Sequence, residues 1–108
     1  YMQGAFIPND PDYNNTSRVY GPQQINAEMA WDEGTGDPGL IVAVLDTGLE
    51  LSHPEFTGRI LPGYDFHNDD ADASDDHGHG THATGIIAAG IDNNIGMAGI
   101  AGDCDGLR

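Results

Sequence analysis

The run "GLIVAVLDTG", residues 39 to 48, constrains the fold of this chain more than any other stretch. Six apolar residues follow one another without polar alternation, bounded by Gly39 and closed by Asp46. A strand with one wet face alternates in polarity. An unbroken Leu/Ile/Val run of this length instead predicts a strand covered on both faces, as in parallel sheets. Crossover connections then have to follow it, so the expectation is an α/β architecture.

The rest of the chain fits that expectation. At 108 residues there is room for one core and not comfortably for two. Residues 1–21 carry prolines and asparagines without a sustained period and read as an extended N-terminal arm with turns. A helix is expected over about 22 to 32, with Pro22 at its first position, Ile25 and Met29 one turn apart, Gly34 as the stop and Trp31 as core anchor. Pro54 pushes His53 out of helical geometry, so 51–59 reads as a turn region. "ILPGYDF" is a second, weaker strand candidate, and it runs into "HNDDADASDDHG", a loop with five aspartates. "GTHATGIIAA" places Ala83, Ile86, Ile87 and Gly90 at helical spacing, which predicts a helix over 80–89 with that face packed. A short strand is expected near 97–101, and there is no internal repeat.

Eighteen acids against three bases give a formal charge of -15. Nucleic acid and anionic membrane surfaces are repelled by such a chain, and cations are its natural partners. No stretch approaches the roughly 18 to 20 apolar residues of a membrane helix. The start, Tyr1-Met2, shows no basic or apolar leader region and reads as processed or cut. Cys104 is the single cysteine, so no intrachain disulfide can form, and it reads as a free, inert thiol.

The chemistry-bearing residues allow three readings. Taken alone, "VLDTG" resembles the catalytic turn of the aspartic proteases, in which two carboxylates share a proton across a dimer axis. That family is nearly all β, whereas here a proline-bearing loop and a helix follow. Taken alone, His77, His79 and His82 resemble the H-x-H-x-D-H zinc motif of metallo-β-lactamase-like hydrolases, with Thr81 where that motif has its aspartate. Taken together, an Asp closing a buried strand and an H-G-T-H opening a small-residue helix some thirty residues later resemble the subtilisin-like serine proteases. "IVAVLDTGLELSHPEF" is similar to that family's aspartate motif and "HGTHATGIIAA" to its histidine motif. "NDP", "YGPQQINAEMAW" and "NNIGMAGIAG" are similar to the thermitase-like branch, so the resemblance spans nearly all of the chain.

The resemblance implies a fold, a reaction and a site. The fold is the N-terminal part of the subtilisin-like doubly wound parallel-sheet three-layer sandwich, with 1–108 the first part of a peptidase S8-like catalytic domain. The reaction is serine endopeptidase cleavage of polypeptides, in a secreted enzyme. The catalytic residues are Asp46 and His79. The physical reasons run parallel: reactive groups gather at the carboxyl ends of parallel strands, where Asp46 is expected. Asp46 is to accept from Nδ1–H of His79, leaving Nε2 free to take a serine proton. His82 is expected in a structural hydrogen bond, His77 and His67 in solvent, and His53 in a turn. Ser17, Ser52 and Ser74 stand in nothing like the family's G-T-S-M-A nucleophile motif. The nucleophile and the oxyanion asparagine are therefore expected beyond Arg108, and the chain alone is expected to be inactive. It is also expected to need the C-terminal part of the catalytic domain, or to self-associate, to cover its sheet.

Calcium is the implied cofactor. The acidic loop offers hard oxygen donors at irregular spacing, and the resemblance nominates Asp65, Asn68, Asp70, Asp72 and Ser74. A second implied site joins Asp10, Glu55 and Asn93 with carbonyls of the 90–97 loop. The alternative reading of these acids is a solubilising surface. The alternative function is a calcium-stabilised pseudoprotease or interaction fragment, in which Asp46 and His79 persist without a nucleophile.

Overall fold

A computed structural model describes residues 6–108. Positions 1–5 of the expected arm lie outside the described residues. From Phe6 the arm runs through turns without regular structure. It is tied down at long range: Phe6 N–H donates to Asp32 (2.7 Å), Asn9 N–H to Asp92 (3.0 Å), and Asp12 N–H to Gly96 O (2.8 Å).

The helix expected over 22–32 is instead two short ones, α1 (Gly21–Gln24) and α2 (Ala27–Trp31). Asn26 between them is left-handed (φ 57°), a conformation asparagine tolerates better than most residues. The break turns Ala27 and Trp31 onto buried Tyr13, while Ile25 and Met29 stay exposed. Trp31 anchors this cluster as expected, and its indole N–H donates to Ile100 O (2.9 Å). Ile91 and Ala98 complete it.

The parallel sheet is present, but its regular part is short. β1 (Ile41–Val42) pairs in parallel with β2 (Gly106–Leu107), and Val44 N–H extends the ladder to Arg108 O (2.8 Å). On its other side β2 meets Ile60, with Leu61 N–H donating to Leu107 O (2.7 Å). The spatial order is thus 59–61, then β2, then β1. "ILPGYDF" contributes only this bridge to the sheet, because Pro62 has no N–H to continue the ladder. Asp65 then pairs antiparallel with Asp70 and closes the acidic loop.

β1 is not covered on both faces. Val42 packs with Phe56, Ala88, Cys104 and Leu107 in a second core cluster, whereas Leu45 is 87% exposed and Ile41 54%.

α3 (His79–Ala88) lies where a helix was expected; of the face expected to pack, Ile87 meets the second core cluster and Gly90 is buried, but the most buried helical positions are others. Gly80, Thr84 and Ala88 point inward and Ile86 is half exposed. Small residues four apart let the helix approach the Asp46 turn closely: a Cβ on Gly80 would collide with Gly48 O. Thr84 satisfies its buried hydroxyl on Gly80 O (2.8 Å).

No strand forms over 97–101. The amides of Gly99, Ile100 and Ala101 instead donate to the carbonyls of Ala89, Ile86 and Ile87. They satisfy acceptors that every helix end leaves open. Among the described residues no helix is long and apolar enough to cross a membrane.

Candidate active site

Asp46 and His79 meet across the carboxyl end of β1. His79 Nδ1 lies 2.7 Å from Asp46 Oδ1 and 2.9 Å from Oδ2. The two elements carrying them come together because Gly48 is left-handed (φ 118°) and Gly80 has no side chain, so the turn after Asp46 fits under the start of α3. The hydrogen bond from His79 holds the Asp46 carboxyl below the usual carboxylate range, helped by the Thr47 N–H (2.7 Å). Asp46 thus remains an acceptor at neutral pH. Nε2 has no hydrogen-bond partner among the described residues, on a side chain that is 67% exposed. Such an arrangement orients a base and steadies its protonated form, and it leaves one ring nitrogen open to a reacting group.

The three histidines do not converge. His79 is engaged through Nδ1 with Asp46, while His77 and His82 are exposed. Among the described residues no group of three or more His, Cys, Asp or Glu side chains could hold a metal. The imidazole of His82 makes no hydrogen bond among the described residues, and its backbone N–H continues the helix to Gly78 O. His67 is exposed, and His53 Nδ1 accepts from Glu55 N–H (3.2 Å), capping the turn over Pro54–Phe56.

Two residues that sequence reasoning passed over complete the surroundings. Asp75 Oδ1 accepts from Thr47 Oγ1 (2.8 Å) and the N–H groups of His77 (2.9 Å) and Gly78 (2.8 Å); Oδ2 accepts from Thr81 N–H (2.9 Å) and Thr81 Oγ1. Thr47 Oγ1 in turn accepts Gly80 N–H (2.8 Å). Burial opposes the charge on Asp75, but the donors from Thr81, Gly78 and His77 outweigh it and hold the carboxyl well below its ordinary value. The available signal was an acid four residues before His79 with a threonine two residues after it, the pattern of a side chain capping a helix start.

The two candidate calcium sets are built differently. In the acidic loop Asp65 accepts from His67 N–H and from the N–H and side-chain amide of Asn68; Asp70 accepts from Asp72 N–H; Asp72 accepts from Ser74 N–H and hydroxyl. Asp70 and Asp72 are exposed and Asp65 is half-buried, and all three accept from N–H groups of their own loop. Asp10, Glu55 and Asn93, by contrast, are drawn together from three distant segments. Asp10 is 1% exposed and Glu55 5%. Asp10 accepts from Asp92 N–H (2.8 Å) and Asn93 N–H (3.4 Å); Glu55 accepts from the Asn93 amide (2.9 Å) and Met97 N–H (2.9 Å). Burial pushes both carboxyls above their ordinary values, with smaller upward pushes from the Asp92 charge on Asp10 and from the Asp10 charge on Glu55.

Known proteins place this geometry in a family. Residues 37–105 match the peptidase S8 subtilase family. The chain is 44% identical over 96 residues to thermitase from Thermoactinomyces vulgaris, covering 89% of this chain and 33% of that protein. It is 41% identical over 103 residues to the halolysin-like extracellular serine protease Nep from Natrialba magadii, covering 88% of this chain and 18% of that protein. Other matched serine proteases are named intracellular, as in Bacillus subtilis. A solved protease structure from Pseudoalteromonas arctica superposes with a TM-score of 0.73 at 34% identity, covering 94% of this chain and 38% of that one. The chain therefore spans about a third or less of the length of these curated relatives. With a family match over most of its length and a subtilisin-like fold around an Asp46–His79 pair, the chain belongs to the subtilase family.

Proposed function

We propose that this chain is the Asp- and His-bearing part of a secreted, subtilisin-like serine endopeptidase, with His79 as its catalytic acid–base and Asp46 as the carboxylate that orients it. The observation that carries the reading is the contact of His79 Nδ1 with both oxygens of Asp46, which leaves Nε2 without a partner among the described residues. In the reaction Nε2 removes the proton of a serine hydroxyl as that oxygen attacks the peptide carbonyl. Asp46, held ionised, favours the imidazolium so formed, and the proton then passes to the leaving amine. The serine and the oxyanion donors come from chain other than residues 1–108. Ser17 is engaged with Asn15 and Ser74 with Asp72.

The uncovered sheet supports the same reading. A groove of about 830 Å³ runs beside Asp46, lined among others by Val44, Leu45, Tyr64, Phe66 and Leu107. Leu45 and Phe66 in it are more than four-fifths exposed. Burying one such side chain contributes about 1.5 to 3 kcal/mol. The remaining, C-terminal part of the catalytic domain is the occupant we propose, in the doubly wound three-layer arrangement; self-association is the competing outcome.

Calcium fits one of the two sets. Asp10 and Glu55 are buried carboxylates with no Lys or Arg at their oxygens among the described residues; they accept from the backbone N–H groups of Asp92, Asn93 and Met97 and from the Asn93 side-chain amide. Their oxygens suit a hard cation, which would supply the missing positive charge and lock the arm to the 92–97 loop. Asp65, Asn68, Asp70, Asp72 and Ser74 fit less well, because they lie on a mostly exposed loop where the carboxyls of Asp65 and Asp72 are held below, not above, their ordinary values. The pseudoprotease reading draws on the same buried pair, which needs no nucleophile.

Peptidase assays separate the alternatives. The chain alone is expected to hydrolyse no peptide. Co-expressed with a C-terminal segment bearing a G-T-S motif, it is expected to cleave casein in a serine-inhibitor-sensitive way, and His79→Ala should abolish this. Cleavage that survives His79→Ala contradicts the proposal.

A further inference from the structure

We propose that Asp75 is a positioning residue for the Asp46–His79 pair, acting through Thr47 and Thr81; the role rests on the proton-transfer reading above. Thr47 directly follows Asp46, and Gly80 directly follows His79. Thr47 Oγ1 donates to Asp75 and accepts Gly80 N–H. Thr81 mirrors it from the helix side: its hydroxyl donates to Asp75 and accepts Glu50 N–H (2.9 Å) from the segment after the Asp46 turn. Two reciprocal cross-links therefore join the turn carrying Asp46 to the helix carrying His79.

A hydroxyl has one proton, so its direction decides what else it can do. Because Asp75 accepts from both threonines, each hydroxyl keeps lone pairs aimed at a backbone N–H of the opposite element. A donor at position 75 would reverse that order. Asp75 also receives the N–H groups of His77 and Gly78, which hold the approach to His79. α3 has no side-chain cap from Gly78 itself, so its N-terminal amides at Gly80 and Thr81 are met by Thr47 and Asp75 instead. Five donors converge on one carboxylate that touches neither reacting atom. An arrangement meant only to close the loop would not need to reach Thr47.

The readout is the Nδ1–H proton of His79, which resonates far downfield in proton NMR when it is held between imidazole and carboxylate. The isotope-labelled chain is expected to show it, and Asp46→Asn to delete it, which fixes the assignment. Asp75→Asn should lose or broaden the signal and move the Asp46 carbon titration up toward the ordinary aspartate value of 3.8. Thr47→Val should do the same, while Thr47→Ser, which keeps the hydroxyl, should retain the signal. Circular dichroism checks that each variant folds. Should Asp75→Asn fail to fold, the contrast between Thr47→Val and Thr47→Ser decides. A wild-type chain without the signal overturns the Asp46–His79 pairing and both readings with it. A wild-type signal that persists in folded Asp75→Asn, or in Thr47→Val when Asp75→Asn does not fold, overturns the positioning role alone.

Discussion

Two regions of this molecule concentrate carboxylates, and they treat them in opposite ways. Around α3, Asp46 and Asp75 are surrounded by donors: an imidazole, two threonine hydroxyls and a row of backbone N–H groups. Their carboxyls are held below the ordinary range. Where the arm meets the 92–97 loop, Asp10 and Glu55 are more deeply buried, each with two N–H donors from other residues against the five N–H and O–H donors on Asp75, and their carboxyls are pushed up. Burial alone does not set the charge of an acid. The balance between desolvation and the donors aimed at the ionised form does. On the reading proposed above the first region keeps a charge in place for chemistry, whereas no Lys or Arg among the described residues meets the carboxylate oxygens of the second.

The largest expected effect tests the first region. In the enzyme completed with its nucleophile-bearing segment, Asp46→Asn should lower kcat about 10⁴-fold, because an amide no longer favours the correct imidazole tautomer. A loss below tenfold in steady-state kinetics would place Asp46 outside the reaction. Next comes calcium at the second region. If it binds Asp10 and Glu55, a concentration a hundredfold above Kd should stabilise the chain by about 2.7 kcal/mol. Thermal melts with and without calcium read this, and Glu55→Gln should remove most of it. An equal shift in Glu55→Gln would move the cation elsewhere.

The pH dependence of the metal-free chain sharpens the contrast further. A carboxyl raised in the folded state binds its proton more tightly folded than unfolded, so Asp10 and Glu55 cost stability progressively as pH rises through their unfolded values, 3.8 and 4.5, to their raised folded ones. Asp46 and Asp75 have the opposite sign: their contribution is present above 3.8 and is lost as pH falls through their lowered folded values. Denaturant titrations across pH 3 to 7 should therefore show a stability decline above pH 4 that Glu55→Gln flattens. The smallest effect is expected in the exposed loop, where Asp65→Asn should change stability by less than about 0.5 kcal/mol. A larger loss in the presence of calcium than in its absence would show that the acidic loop rearranges to hold the ion.

Much of the site was legible in the sequence because its parts are local. Asp46 closes an apolar run, His79 opens a helix, and both signals lie within a few residues of the side chain concerned. The apolar run of β1 read as a parallel-sheet strand for the same reason, but its partner at Gly106–Leu107 did not. Contacts made by hydrogen bonds between distant segments were not. Asp75 reads as one of several loop aspartates until Thr47 is known to face it, 28 residues away. The buried face of α3 was read only in part: Ile87 packs as expected, while close approach to Gly48 selects Gly80, Thr84 and Ala88 for size and leaves Ile86 half exposed. The strand expected at 97–101 failed because the carbonyls closing α3 claim its amides. Asn26 splits the first helix through a backbone conformation that composition does not reveal.

The most direct test of the central claim is the tautomer of His79, read from nitrogen-15 shifts and two-bond couplings of the ring at neutral pH. The pairing with Asp46 predicts a proton on Nδ1 and a bare Nε2. A ring protonated at Nε2, with Nδ1 free, would contradict the account.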